Sequence, residues 1–167
     1  MRHILLRREL VADPWRYLGE EAAAQGSLIV PFAELRTHRE HYLARSGALG
    51  VRLAPVDRVE ELAADLSRLS LVACEFPSPG EGRGYSQGRL LRERYGFTGE
   101  LRAVGAGVKQ DLVFHLARCG FDALELVPGE DVAGAVRAWQ RYHVGYQPGV
   151  PQVALRRQRF FNATPPG

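Results

Sequence analysis

Residues 76–122 read F-P-S-P-G-E-G-R-G-Y-S-Q-G-R-L-L-R-E-R-Y-G-F-T-G-E-L-R-A-V-G-A-G-V-K-Q-D-L-V-F-H-L-A-R-C-G-F-D. This stretch begins at the end of the apolar run 71–76 and crosses a Gly/Pro loop. It then enters 87–95, which has helical composition and stops at Gly96. Residues 101–105 read as a second strand, and 110–118 as a second helix closed by Gly120. Glycine after a periodic run is a helix stop, and a short apolar run between such stops is a buried strand. Strand, helix, strand, helix in that order calls for right-handed crossovers and parallel pairing.

The same rhythm continues on both sides. Upstream lie a strand at 28–32, a helix at 33–46, a strand at 51–55 and a helix capped by Asp57, whose Val59, Leu62, Ala63, Leu66 and Leu69 recur at helical spacing. Downstream come a strand at 123–127 and a helix at 131–141. We therefore expect an α/β domain over 27–147, made of five or so βα units with a parallel sheet. Residues 1–26 read as an N-terminal arm, with Ile4-Leu5-Leu6 as a short apolar segment and Asp13-Pro14 opening a turn of helix. Residues 148–167 read as a Pro- and Arg-rich C-terminal tail.

Whether the sheet is open or curled turns on four charges. A flavodoxin-like open sheet buries both faces and reads as nearly unbroken Val, Ile and Leu. Here successive strands carry Arg52, Glu75, Arg102 and Glu125, alternating in sign. On one face of neighbouring strands these side chains would pair, and pairing is what makes buried ions tolerable. The expected sheet is thus curled, like a partial (β/α) barrel. The competing reading places the same charges at strand ends, in water.

A chain of 167 residues suits one domain with a sizeable core. With 46% hydrophobic and 25% charged residues and no long apolar run, neither a membrane span nor a signal peptide is expected, which makes the protein cytoplasmic. The net charge of +3 comes almost wholly from arginine. Arginine suits planar anions and fixed ion pairs, so the bias points to a small oxyanion rather than nucleic acid. A GC-rich genome accounts for it equally well. Cys74 and Cys119 are too few for a tetrahedral zinc or an iron–sulfur site and read as core thiols, so no metal is expected.

Chemistry is expected where strands hand over to helices. In Gly80-Glu81-Gly82-Arg83-Gly84-Tyr85-Ser86, glycines let backbone N–H groups approach an anion, Ser86 caps the helix and Arg83 adds a fork of donors. Arg83, Gly84, Ser86 and Arg102 are the candidate anion ligands. Gly105 and Gly107 form a second strand-end turn. Glu75 is the candidate acid/base. A plain turn with a helix cap explains the same glycines. Neither a P-loop nor a dinucleotide fingerprint is present, so no cofactor is expected and the protein should be colourless.

The combination G-R-G-Y-S, G-E-L-R-A-V-G and R-C-G-F-D-A resembles the bacterial domain of unknown function 934. Members of that family are encoded beside assimilatory sulfite reductase and are often labelled oxidoreductases of sulfite reduction. The resemblance implies an accessory of sulfite reduction that binds a small oxyanion or docks on sulfite reductase, without a redox centre of its own. An independent (β/α) enzyme on a small anionic metabolite, with Glu75 as acid/base and Arg83 and Arg102 as clamps, is the alternative. A pure interaction domain is a third. Two departures from the family pattern stand out. Gly80-Glu81 replaces an aromatic residue and Asp, and Ala106 with Gln110-Asp111 replaces the first Asp and the Asp-Gln of G-D-V-x-x-D-Q. Open sheet edges need cover, from the arm, the tail or a second subunit, so a homodimer enclosing the charged row is also expected.

Overall fold

The structure is a computed structural model and describes residues 2–20 and 26–141. Its short apolar runs pair into one eight-stranded sheet: β1 (His3–Leu6), β2 (Glu9–Ala12), β3 (Trp15–Tyr17), β4 (Ser27–Pro31), β5 (Leu49–Leu53), β6 (Leu71–Glu75), β7 (Glu100–Val104) and β8 (Ala123–Leu124). The spatial order is β2-β1-β8-β7-β6-β5-β4-β3. From β3 to β8 every neighbour is parallel, whereas β1 runs antiparallel to both β8 and β2. The sheet curls into a half-barrel, as the strand charges led us to expect.

Helices cover one face only. They are α1 (Phe32–Thr37), α2 (Arg39–Leu43), α3 (Val59–Leu62) extended by a 3-10 stretch (Ala63–Arg68), α4 (Arg83–Arg89) ending in a π turn (Leu90–Arg94), α5 (Val113–Arg118) entered through a 3-10 turn (Gln110–Leu112), and α6 (Val132–Gln140). Outward-facing Val30, Val51, Leu53, Val72, Cys74, Leu101, Ala103 and Leu124 join Leu35, Leu62, Leu91, Leu116 and Trp139 of the helices in the main core. The inner face has a smaller apolar cluster of Trp15, Ile29, Leu71, Ala73 and Val104.

The expected helix over 33–46 breaks at His38, whose φ of −122° and ψ of 40° separate α1 from α2. Asp57 is not a helix cap: its carboxylate accepts the Ala54 N–H at 2.7 Å and tightens the turn after β5. The larger difference is the arm. Residues 3–17 supply three strands of the sheet, with β3 beside β4 and the β1–β2 hairpin beside β8. Asp13-Pro14 opens no helix, because it carries the chain from one edge of the sheet to the other. Ala12 and Trp15 are three Cα steps apart, a span of at most about 11 Å. Opposite edges of the sheet must therefore lie close, and this connection fixes the curl. The edges that β4 and β8 would expose are covered from within the chain. Residues 21–25 of the arm, 142–147 of the expected domain and the tail at 148–167 lie outside the described residues.

Candidate functional site

The inner face carries the charges, in two layers. The registers place Arg52 opposite Ala73 and Ala73 opposite Arg102, so both arginines stand level. Glu75 pairs with Val104 one layer nearer the strand ends, and Glu125 continues β8 at the same height, its N–H donating to Ala103 O at 2.9 Å. The four side chains share a face as expected, but arginines and glutamates are offset by two residues. Arg102 therefore takes other partners.

Those partners come from the arm and from its own strand. Arg102 is fully buried and forks onto Asp13, with Nη1 donating to Oδ2 at 2.8 Å and Nη2 to Oδ1 at 3.0 Å. Its Nε donates to Glu100 Oε1 at 2.9 Å. Asp13 also accepts from Arg2 Nε at 2.8 Å and from the Trp15 N–H at 3.1 Å. Burial pushes the Asp13 carboxyl upward, but the bonds from Arg102 and Arg2 outweigh it and hold the group below the usual range. Glu100 goes the other way: burial raises it and Arg102 only partly offsets the rise. A buried guanidinium with this many acceptors has no fork left for a ligand.

Nearer the mouth the groups are looser. Arg52 Nε and Glu75 Oε2 lie 4.0 Å apart, with side chains 40% and 32% exposed. Tyr17 reaches across from β3 and donates its hydroxyl to Glu125 Oε2 at 2.8 Å. Burial, then the charge of Glu125, keeps that phenol protonated far above its ordinary range. The guanidinium carbons of Arg2 and Arg52 lie 4.6 and 5.7 Å from the Tyr17 ring centre.

The glycine turns serve packing. Arg83 is folded onto Glu81 of its own loop, at 2.9 Å through Nε and 2.7 Å through Nη2, and this pairing lowers the Glu81 carboxyl to about 2. Gly84 is buried, and a Cβ there would come within 2.5 Å of the Phe76 ring. Ser86 is exposed inside α4 and is no cap, since the helix starts after Gly82. Gly105, at φ +107°, and Gly107 pass so close to the backbone of Phe76 and Ser78 that neither has room for a side chain. The Gly107 N–H donates to Phe76 O at 2.7 Å. The two strand-end loops thus pack on each other, and no crevice separates them here.

The R-C-G-F-D run is structural as well. The Phe121 ring meets Gly88, where a Cβ would come within 2.6 Å, and packs edge-on against Phe76. Asp122 accepts the Leu101 N–H at 2.7 Å and faces Arg92 at 3.3 Å. Arg92 in turn donates to the carbonyls of Phe97, Gly99 and Gly120. Cys74 is fully buried, which pushes its thiol far up, and Cys119 is half-buried. Where the family pattern departs, Ala106 sits exposed. Gln110 and Asp111 line a shallow cavity of about 440 Å³ with Lys109, Phe114 and Glu130.

Sequence reasoning missed Asp13 and Tyr17. Arg102 gave no signal of an outside partner, because Glu75, Glu100 and Glu125 all stood as apparent complements on its own and neighbouring strands. Among the described residues, no group of His, Cys, Asp and Glu is placed to hold a metal ion, and no helix is long and apolar enough to cross a membrane.

Together these features define a half-barrel α/β protein with an ion-paired inner face and a mixed-charge mouth at the strand ends. Residues 50–155 match the family described as bacterial protein of unknown function (DUF934), and the chain belongs to it. No curated protein matches the chain.

Proposed function

We propose that this protein is an accessory of assimilatory sulfite reduction that acts by docking on the reductase, not by binding the oxyanion. The pathway follows from the resemblance in 76–123, whose relatives are encoded beside that enzyme. The choice between docking and oxyanion binding rests on one observation: both expected anion clamps are neutralised inside the chain, Arg102 by Asp13 and Glu100 and Arg83 by Glu81. The loops after β5 and β6 leave Val56 73% exposed and Arg58, Pro77 and Pro79 exposed as well, strand-end surface suited to contact with a protein. Deletion of the gene should impair growth on sulfate or sulfite as sole sulfur source, and Val56→Asp should weaken co-purification with sulfite reductase. Normal growth of the deletion strain would refute the pathway. A V56D protein that still co-purifies would refute this face.

A second reading is favoured by the position of Glu75. A partly exposed carboxylate at the C-terminal end of a parallel strand of a curled sheet stands where (β/α) enzymes place acid/base groups. On that reading Glu75→Gln abolishes turnover of a small metabolite. Turnover surviving the substitution removes Glu75 from the mechanism.

A further inference from the structure

Most arginines on the inner face and in the loops are closed by hydrogen bonds. Arg2 is held by Asp13, Glu20 and Trp15 O, Arg83 by Glu81, and Arg102 by Asp13 and Glu100. Arg52 differs. Among the described residues it makes no hydrogen bond, and its nearest carboxylate stays at 4.0 Å, beyond hydrogen-bond reach. Glu75 likewise accepts no hydrogen bond among the described residues. Among the described residues Glu125 accepts one hydrogen bond, from Tyr17, and the Arg2 charge also acts on it.

These unused groups converge. Glu75, Val104 and Glu125 are at one height on three neighbouring strands, so the two glutamates have Cα atoms roughly 10 Å apart across Val104. Arg52 is on the strand beside Glu75, one layer deeper, with the Tyr17 ring within cation–π distance. Ala73 and Val104 between them are buried against Trp15, Ile29 and Leu71, so the charged side chains stand on a closed apolar layer. Among the described residues, the mouth therefore presents one guanidinium that makes no hydrogen bond and two carboxylates with unused acceptors.

We infer that the half-barrel mouth is a binding site for a small zwitterion of the α-amino-acid type, its carboxylate on Arg52 and its ammonium between Glu75 and Glu125. A simple oxyanion suits it poorly, because two carboxylates flank the site and Arg2, the other guanidinium at the Tyr17 ring, is held by Asp13, Glu20 and Trp15 O. A simple cation suits it poorly because Arg52 stands beside Glu75. A ligand carrying both charges on one carbon answers both. Tyr17, by holding Glu125, is a positioning residue. This inference is independent of docking on a reductase.

Isothermal titration of the full chain with L-alanine, L-serine, L-valine and L-glutamate, against acetate, methylammonium and sulfite, tests it. At least one amino acid should bind about tenfold or more tighter than acetate or methylammonium, a gap of about 1.4 kcal/mol or more. Arg52→Gln and Glu75→Gln, both at partly exposed positions, should each weaken that binding by about tenfold, the loss expected for one charge-assisted contact. Exposed Arg94→Gln should leave it unchanged. Acetate or sulfite binding as tightly as the best amino acid would make this an anion site and overturn the inference. So would equal binding of methylammonium, binding that survives R52Q and E75Q, or no binding of any amino acid.

Discussion

Tyr17, on the edge strand β3, donates its hydroxyl to Glu125 at 2.8 Å, and Glu125 follows β8 on the far side of the parallel strands. In a flat sheet five strand spacings would separate them, roughly 24 Å. The bond is therefore a direct consequence of the curl, and it ties the two sides of the half-barrel together. Tyr17→Phe keeps the ring between its arginine neighbours and removes only the donor. It should cost about 1–2 kcal/mol, as for a hydrogen bond to a charged acceptor. Urea unfolding with an unchanged m-value is the measurement, and a midpoint equal to wild type would mean that the curl does not depend on this bond.

Arg102 and Asp13 make the more costly pair to break, because both side chains are fully buried. Arg102→Glu would set a third carboxylate beside Asp13 and Glu100 and should cost at least about 3 kcal/mol. Arg102→Met should also destabilise strongly by leaving Asp13 with Arg2 alone. Adding Asp13→Asn to Arg102→Met should then recover part of that loss, since it removes the uncompensated charge. If the two single losses simply add in the double variant, the residues are not coupled.

The same network predicts an acid limb. Asp13 is held below its ordinary range in the fold, so its contribution is complete above the unfolded value of about 4 and is lost as pH falls through the folded value. Glu100 is raised, so its contribution has the opposite sign and declines as pH rises from the unfolded value towards the folded one. Wild type should lose stability below about pH 4, and Asp13→Asn should lose less over the same range. Melting temperatures from pH 2.5 to 7 compare the two slopes, and parallel curves would rule Asp13 out as the acid-sensitive group.

The repeating βα units were legible because apolar runs of strand length alternate with periodic runs stopped by Gly47, Gly96 and Gly120. The curl was legible because Arg52, Glu75, Arg102 and Glu125 are poor residues for a sheet covered on both faces. What the pattern hid was the arm. Glu9-Leu10-Val11-Ala12 is mostly exposed and Trp15-Arg16-Tyr17 is three residues long, so neither carries a strong alternation. Their hairpin turns through Arg7 and Arg8 at φ 46° and 79°, without the Asn-Gly that announces such a turn. The site residues were half legible for a related reason. Sequence shows which groups are charged, but a partner at position 13 for a charge at position 102 is a long-range contact that local spacing does not encode.

The glycine turns separate a packing role from a ligand role. At Gly84 an added methyl meets the Phe76 ring, which is itself packed edge-on against Tyr85 and Phe121 and has little freedom to move. At Gly107 it meets the Ser78 carbonyl, and at Gly105 it meets Phe76 O with an unfavourable positive φ added. Gly84→Ala should cost about 1–3 kcal/mol by overpacking. Gly105→Ala and Gly107→Ala should cost more, because backbone cannot yield as a ring can. If these glycines instead existed to admit an anion, Gly107→Ala would leave the melting temperature unchanged and alter only the response to added sulfate or phosphate. Thermal unfolding of the three variants, with and without those anions, decides the matter. Loss of stability in all three, with no anion-dependent rise in wild type, is the expected result.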